Sequence, residues 1–430
     1  MSKYIIEGGF PINGRIRASG NKNAALPCIA ATLLTNEPVY LENIPDIEDI
    51  RVMVDILRSL GAVVEKKNPG EWKICCAPVN NTVIAEEDAQ KIRASILFAG
   101  PMLGRAGRVV LPPPGGDIIG RRRLDTHFLA LNGLGASIEI SDQFSITANK
   151  LVGLDLFLDE ASVTATENAI MTAVKAEGET IIRNAASEPH VQDLCRLLNA
   201  MGGRIEGIGS NILRIRGVKN LGGCRYRIGS DYMEVGSFIG LAAATGGSIT
   251  IEDAGPEHLR MCKLAFGKLG ISWKTEGENI TVGLKQDMKI FQDIGGMIPQ
   301  VDDAPWPGFP PDLTSIITVV ATQVEGTVLV HEKMFESRMF FVDKLITMGA
   351  GIILCDPHRV VITGPRRLRA AELTSPDVRA GMAMVIAAMV ASGTSIIHNV
   401  YQIERGYENF IPRLQSLGAR IEKIGDDDSL

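Results

Sequence analysis

The apolar and polar positions of the chain follow one pattern that occurs six times. Each copy has a helix of small apolar residues, a turn that is most often at glycine, and a β-branched run that predicts a strand. An amphipathic segment follows, with apolar residues at helical spacing, and it leads into a phrase such as SLGAVVE from Ser59 or SLGARIE from Ser416. Short alternating strands come next. The pattern predicts a unit of strand, helix, strand, helix, strand and strand.

The spacing of the copies predicts subdomains that each have their own layers. They recur roughly every 70 residues, which is longer than the period of common solenoid repeats. The small-residue helices are apolar nearly all round and should be buried, whereas the amphipathic ones should be half covered. A chain of 430 residues also exceeds one ordinary core. We therefore predict an α/β protein of two inside-out α/β barrel domains, each of three βαβαββ repeats, with helices inside and sheets outside.

Composition and charge narrow the functional classes. The formal net charge of −6 argues against a nucleic-acid surface, which needs basic charge across a whole face. No apolar stretch is long enough to span a bilayer, so we expect no membrane insertion and a cytoplasmic location. The seven cysteines and six histidines show no metal-ligand spacing, and neither a Walker A sequence nor a GxGxxG motif after a strand occurs. We expect no metal, no cofactor and no disulfide framework.

Two segments carry residues suited to an anionic ligand. SGNKNAALP places Ser19, Gly20, Lys22 and Asn23 before a helix that we expect to hold Pro27 in its first turn. A helix N-terminus offers amide donors, and a lysine there adds a full charge. The second segment, LPPPGGDIIGRRRLDTH, combines three prolines and three arginines with Asp117. An acid beside anion-binding arginines suggests a group that handles a proton.

Four more segments mix arginine with carboxylate: SDYMEVG, WPGFPPDLTS, SPDVRAG and YQIERGYE. Taken singly, each is explained as well by a surface salt bridge, which is usually worth under about 1 kcal/mol. Their joint occurrence carries more information. With IRAS, NAASEP and FESR they follow the order of motifs along the chain in a known family.

The sequence resembles the family of enolpyruvyl transferases that act on UDP-N-acetylglucosamine, over essentially its whole length. The resemblance implies one domain over 22–229, carrying a mobile catalytic loop at about 111–127, and a second domain built from 1–21 and 230–430. It places the active site in the cleft between them. It also implies the reaction: addition of the sugar 3′-hydroxyl to C2 of phosphoenolpyruvate, then loss of phosphate, as the first committed step of peptidoglycan precursor synthesis.

The resemblance also assigns roles to residues near phosphoenolpyruvate. Lys22 and Asn23 would hold the phosphate, and planar guanidinium groups would complete the binding of phosphate and carboxylate; these are Arg122, Arg338, Arg379 and Arg405. Asp312 is the candidate base for the hydroxyl, and Asp377 is a second carboxylate at the reacting centre. Rigid prolines before Asp312 favour a fixed approach of its carboxylate.

Asp117 occupies the position where most of the family has the cysteine that donates a proton to the methylene carbon. Some members carry aspartate there, and a carboxylic acid can do this if desolvation raises its pKa. Without the thiol, the enzyme should resist fosfomycin, which alkylates that cysteine. The alternative is that Asp117 merely caps its loop.

For the nucleotide sugar, the resemblance implies two binding regions and single contacts elsewhere: Arg93, Arg122, Arg123, Leu124, Asp125, Thr126, Ser162, Val163, Asp312 and Met334. His127 sits at a family histidine and by itself indicates a packing or supporting residue. The substrates would be phosphoenolpyruvate and UDP-N-acetylglucosamine. The sequence leaves the oligomeric state open.

Departures on the acceptor side keep alternatives open. Glu160 stands where the family has a lysine, Tyr232 where an arginine is common, and FPPDLTS replaces a different run. One alternative is an enolpyruvyl transferase for another nucleotide sugar; a shikimate-phosphate enzyme is disfavoured by the recognisable uridine-binding loop. The other is a catalytically weak regulatory paralogue that binds nucleotide sugar, against which a complete proton-transfer set argues.

Overall fold

The computed structural model describes residues 2–116 and 123–425. These residues form two compact units. The terminal unit consists of residues 2–19 and 230–425, and the inserted unit consists of residues 20–116 and 123–229. The chain passes from one unit to the other at 19–20 and again at 229–230. Gly20 and Asn21 belong to the inserted unit.

The strands of the described residues are short and are numbered in chain order: β1 (Lys3–Glu7), β2 (Asn13–Arg17), β3 (Val39–Glu42), β4 (Val63–Asn68), β5 (Glu71–Cys75), β6 (Arg108–Leu111), β7 (Ser137–Ile140), β8 (Phe144–Thr147), β9 (Asp155–Phe157), β10 (Glu179–Arg183), β11 (Arg204–Glu206), β12 (Ile212–Arg216), β13 (Arg225–Arg227), β14 (Ser248–Glu252), β15 (Lys274–Glu276), β16 (Asn279–Val282), β17 (Gln300–Asp302), β18 (Gly326–His331), β19 (Ile352–Leu354), β20 (Arg359–Gly364), β21 (Glu372–Thr374), β22 (Thr394–His398) and β23 (Arg420–Ile424).

The α-helices alternate with these strands: α1 (Lys22–Ala31), α2 (Glu48–Ser59), α3 (Glu86–Ala89), α4 (Ala99–Ala106), α5 (Asp125–Gly133), α6 (Val163–Ala173), α7 (Pro189–Ala200), α8 (Tyr232–Thr245), α9 (Arg260–Lys268), α10 (Thr314–Ala321), α11 (Val342–Thr347), α12 (Val378–Val390), α13 (Tyr401–Glu404) and α14 (Phe410–Ser416). Short 3-10 turns link several of them: Thr32–Leu34, Arg93–Phe98, Pro256–His258, Pro311–Leu313 and Arg338–Phe341.

Within the described residues each unit holds three small sheets, and the five sheets with four strands share one internal order. In the inserted unit these are β13-β3-β5-β4, β6-β8-β7 and β9-β10-β12-β11. In the terminal unit they are β2-β14-β16-β15, β17-β18-β20-β19 and β21-β22-β1-β23. In each four-stranded sheet one parallel pair is followed by two antiparallel pairs, as in β9 with β10, then β12 and β11. This is the predicted repeat, completed in three of the sheets by strands from distant parts of the chain.

The small-residue helices lie at the centre of each unit. Every residue of α10 is buried, and α8 and α12 are buried over nearly all of their length. In the inserted unit α1 and α6 are buried in the same way. The amphipathic α2 instead buries one face, through Ile50, Met53 and Leu57 among others. Two large apolar cores result, one in each unit, as the hydrophobic pattern predicted.

One local expectation was wrong. The first helix begins at Lys22, so Pro27 lies in its second turn and not its first. Asn21 sets this start, because its side chain accepts hydrogen bonds from the amides of Asn23 at 2.8 Å and Ala24 at 3.3 Å. Within the described part of the chain, none of the helices has the length and apolar character needed to cross a membrane.

Candidate active site

In the terminal unit, Asp312 lies between two buried arginines. Its Oδ1 accepts from Arg338 Nη1 at 2.9 Å, and its Oδ2 accepts from Arg379 Nε at 2.9 Å. Asp312 sits in the 3-10 turn Pro311–Leu313 before α10, whereas Arg338 opens another 3-10 turn and Arg379 is the second residue of α12. The arginine side chains are only 5% and 8% exposed, against 20% for Asp312. Folding thus brings together three residues that the sequence placed in separate motifs.

This arrangement sets the charge of the carboxylate. Burial would raise the pKa of Asp312, but Arg379 and Arg338 outweigh it and hold the pKa well below its ordinary value. Asp312 in turn raises the pKa of both arginines against the effect of their own burial. The group is therefore an ion triad of one carboxylate and two guanidinium groups.

Asp377 caps the helix that carries Arg379. Its Oδ1 accepts from the backbone amides of Arg379 at 2.7 Å and Ala380 at 2.9 Å. The Arg379 guanidinium also reaches the hydroxyl of Tyr407 at 3.4 Å and the Sδ of Met233 at 3.8 Å. Tyr407 was not predicted from the sequence, although it belongs to the ERGYE segment, and Ser237 Oγ lies 3.0 Å from its hydroxyl.

Two further predicted residues of the terminal unit have defined partners. Arg405 is buried and donates to Gln402 Oε1 at 2.9 Å, near the end of α13. Met334 is 36% exposed, and its backbone amide donates to Asp303 Oδ2 at 3.3 Å. The Met334 side chain is thus accessible on a loop whose backbone is anchored beneath it.

In the inserted unit, Lys22 stands at the first position of α1. Its Nζ pairs with Asp49 Oδ2 at 2.5 Å, and the two side chains are 13% and 4% exposed. Asp49 was missed from the sequence; the available signal was a carboxylate on the apolar face of an amphipathic helix. A Cβ on Gly20 would lie 1.6 Å from the backbone oxygen of Asn43, so only glycine fits at that position of the motif.

In the inserted unit, several residues expected to bind the nucleotide sugar lie around the starts of α5 and α6. Arg93 donates to the backbone oxygen of Arg123 at 3.3 Å, and Arg123 pairs with Asp125 at 2.9 Å. Leu124 immediately precedes α5, and Thr126 donates to Asp159 at 2.7 Å. Ser162 and Val163 lie where α6 begins, and the Ser162 side chain does not cap that helix.

A buried polar network supports this cluster. Asn168 Nδ2 donates to His127 Nδ1 at 2.9 Å and to the backbone oxygen of Ile96 at 2.9 Å, while its Oδ1 accepts from Gly100 N at 2.8 Å. Because Nδ1 accepts, the proton of His127 is on Nε2, which lies 3.0 Å from Thr164 Oγ1. Burial, with Arg93 adding to it, lowers the pKa of His127 to about 3. His127 is thus a neutral supporting residue.

The predicted residues Asp117 and Arg122 lie outside the described residues. The described residues include Tyr232 and Glu160, which depart from the family pattern on the acceptor side. Tyr232 is 1% exposed, and its ring packs against those of Trp306 at 5.9 Å and His258 at 6.2 Å between centroids. Glu160 is exposed. Tyr232 is therefore the buried member of an aromatic cluster whose other two rings are partly exposed, whereas Glu160 lies on the surface.

Comparison with known proteins decides the family. A family model described as EPSP synthase (3-phosphoshikimate 1-carboxyvinyltransferase) matches residues 6–414. The chain belongs to this family of enolpyruvyl transferases. It is 66% identical to the protein named UDP-N-acetylglucosamine 1-carboxyvinyltransferase of Treponema denticola, over 98% of this chain and 99% of the relative. The enzyme of the same name from Treponema pallidum is 62% identical, over 99% of this chain and 100% of the relative.

Solved structures of enolpyruvyl transferases share the fold. NikO from Streptomyces tendae superposes with a TM-score of 0.86 at 20% identity, covering 98% of both chains. EPSP synthase from Acinetobacter baumannii gives 0.76 at 18% identity, covering 99% of this chain and 100% of that one. The predicted α/β class with small sheets around buried helices is thereby confirmed.

Proposed function

We propose that this enolpyruvyl transferase moves the enolpyruvyl group of phosphoenolpyruvate to the 3′-hydroxyl of UDP-N-acetylglucosamine and releases phosphate, the first committed step of peptidoglycan precursor synthesis. The observation that carries the proposal is the identity of 66% and 62% to enzymes of that name over almost every residue of both chains. The residues of the ion triad and of the Lys22 pair supply the chemistry that such a reaction requires.

Phosphoenolpyruvate carries a phosphate and a carboxylate, and the terminal unit offers cations for both. Arg338, Arg379 and Arg405 are buried guanidinium groups, whose planar donors suit bidentate contact with either group. Lys22, at the N-terminus of α1, is the corresponding cation of the inserted unit. We assign phosphoenolpyruvate binding to these four residues together with Asn23 and Arg122. Asp117 is assigned as the acid for the methylene carbon.

Without substrate, Lys22, Arg338 and Arg379 already have carboxylate partners. Lys22 is held by Asp49, and both Arg338 and Arg379 are held by Asp312. A substrate anion that approaches them exchanges an internal carboxylate for its own. This exchange keeps each cation paired at each stage, so neither an arginine nor the lysine becomes a lone buried charge.

The same exchange would control Asp312 as a base. While both arginines contact its carboxylate, the lowered pKa makes Asp312 a weak proton acceptor. When a substrate anion draws an arginine away, the pKa of Asp312 rises and it can take the proton of the sugar hydroxyl. Addition to C2 then needs a proton at the methylene carbon from Asp117, and loss of phosphate with a methyl proton completes the transfer.

The acceptor is tested by phosphate release. Phosphoenolpyruvate is supplied with UDP-N-acetylglucosamine, with other UDP-sugars or with shikimate 3-phosphate, and product masses are measured. We expect release only with UDP-N-acetylglucosamine, with the mass of its enolpyruvyl ether. Release only with another acceptor would overturn the proposal and implicate exposed Glu160; stabilisation by nucleotide sugar without any release would indicate a regulatory paralogue.

A further inference from the structure

Two carboxyl groups that the proposed mechanism does not use lie beneath the Arg338 loop. Asp303 directly follows β17, and Glu332 directly follows the parallel neighbour β18. Both residues are 0% exposed. The loop that leaves β18 carries Met334 and then Arg338. These two carboxyl groups therefore lie at the start of that loop, where contacts fix its position.

Asp303 binds the loop backbone. Its Oδ1 accepts from the amide of Lys333, and its Oδ2 accepts from the amide of Met334 at 3.3 Å. Both oxygens of this carboxylate therefore have donors, and the first two residues after Glu332 are fixed. A buried carboxylate with backbone donors on each oxygen is a stable anchor.

Glu332 is in the opposite situation. Both of its carboxyl oxygens are fully buried, and among the described residues no backbone amide or guanidinium group donates to them; the side chains that act on this carboxyl group at short range are the carboxyl group of Asp303 and the hydroxyl of Thr314. An ionised carboxylate buried beside a second carboxyl group would carry a large desolvation and repulsion cost, whereas a neutral carboxylic acid would carry a much smaller one. Burial raises the pKa of Glu332 to about 8; Arg338 acts to lower it and Asp303 acts to raise it.

The groups that face Glu332 come from four places. Asp303 and Arg338 act on its carboxyl group, as does the hydroxyl of Thr314 at the start of α10. His358 contacts its backbone, through Nδ1 at 2.7 Å from the Glu332 carbonyl oxygen. The Nε of Arg338 is itself buried and has no hydrogen-bond partner among the residues that the structure describes. An ionised Glu332 would therefore have a guanidinium edge to attract.

We propose that Glu332 is a positioning residue that stays protonated in the working enzyme, so that the Arg338 guanidinium remains directed to Asp312 and to the incoming anion of phosphoenolpyruvate. Loss of the proton creates a second buried negative charge beside Asp303 and a rival partner for Arg338. The proposal rests on the assignment of Arg338 to phosphoenolpyruvate binding.

The test is the pH dependence of KM for phosphoenolpyruvate, measured separately from kcat. In the wild-type enzyme KM should rise about tenfold between pH 7 and pH 9 as Glu332 ionises. Glu332→Gln keeps a neutral group of the same shape, so its KM should match wild type at pH 7 and stay flat to pH 9. Glu325→Gln is the matched control; this side chain is 67% exposed on the residue before β18, and its variant should keep the wild-type rise. A rise that persists in Glu332→Gln would overturn the proposal.

A second readout does not depend on turnover. Infrared spectra of the unliganded protein should show a carboxylic acid carbonyl band that disappears as pH rises through about 8 and is missing from Glu332→Gln. In Asp303→Asn the carbonyl band should disappear at a lower pH, because Asp303 is one of the groups that raise the pKa of Glu332. If wild-type protein shows the band but catalyses no enolpyruvyl transfer, only the proposed function is refuted. If the band is absent at pH 7, the proposal that Glu332 is protonated is refuted.

Discussion

Replacing Asp312 with Asn tests whether the carboxylate competes with substrate for its two arginines. Asparagine has nearly the same shape but no charge, so Arg338 and Arg379 would lose their shared counter-ion while staying buried. Two consequences follow together. The variant should bind phosphoenolpyruvate more tightly, and it should turn over far more slowly because the proposed base is gone.

The magnitude follows from the two contacts at 2.9 Å. A hydrogen bond between charged groups contributes about 1.5–3 kcal/mol. If substrate must displace one such contact, removing it should tighten binding by roughly 10- to 100-fold, since about 1.4 kcal/mol corresponds to a factor of ten. Loss of a general base should lower kcat by about 10²- to 10⁴-fold.

Calorimetric titration with phosphoenolpyruvate gives the affinity, and phosphate release gives kcat. Asp302→Asn is the matched control: Asp302 is ten positions earlier in the same segment and pairs with Lys333 at the surface, both side chains being more than a third exposed. It should leave both quantities near wild type. Unchanged or weaker binding by Asp312→Asn would refute the competition, whatever happens to kcat.

Three further predictions test other parts of the structure. Arg413→Met should lower the free energy of unfolding in urea by about 3–5 kcal/mol, because buried Glu234 loses the bidentate contact that Arg413 makes at 2.7 and 2.8 Å. Adding Glu234→Gln should recover most of that stability. A double variant as unstable as Arg413→Met would contradict the ion-pair explanation. Asn168→Ala should lower the free energy of unfolding by about 3 kcal/mol in the same assay, since buried groups that include His127 lose their hydrogen-bond partner. A near-neutral effect would mean that the network does not stabilise the protein. Wild type should show no added mass after incubation with fosfomycin, whereas Asp117→Cys should be labelled; label on the wild-type protein would refute the assignment of Asp117.

Much of the fold was predictable from the sequence because its signals are local. The amphipathic segment that stops at Gly61 became α2, and the runs around VVEKK and EWKIC became β4 and β5. The apolar residues that make up most of α8, α10 and α12 predicted the burial of these helices. Such features depend on the period of apolar residues and on the residues that form turns, and both can be recognised in short stretches of sequence.

The helix start at Lys22 shows where local signals compete. Pro27 suggested a start close before it, because proline is favoured in a first turn. The side chain of Asn21 caps the helix earlier, and Pro27 is accommodated within the buried helix. Two plausible signals six residues apart could be ranked only once the hydrogen bonds of the cap were known.

The state of the candidate site was decided by tertiary structure. The sequence and its resemblance supplied Asp312, Arg338 and Arg379 as candidates, and only the fold joined them into one ion triad. Likewise nothing in the sequence connected Asp303 with Glu332, which meet because β17 and β18 are parallel neighbours. The sequence by itself determined which groups exist and which segments are buried. Their pKa values and partners depend on burial and on charges within a few ångströms, and these distances exist only after distant segments have packed together.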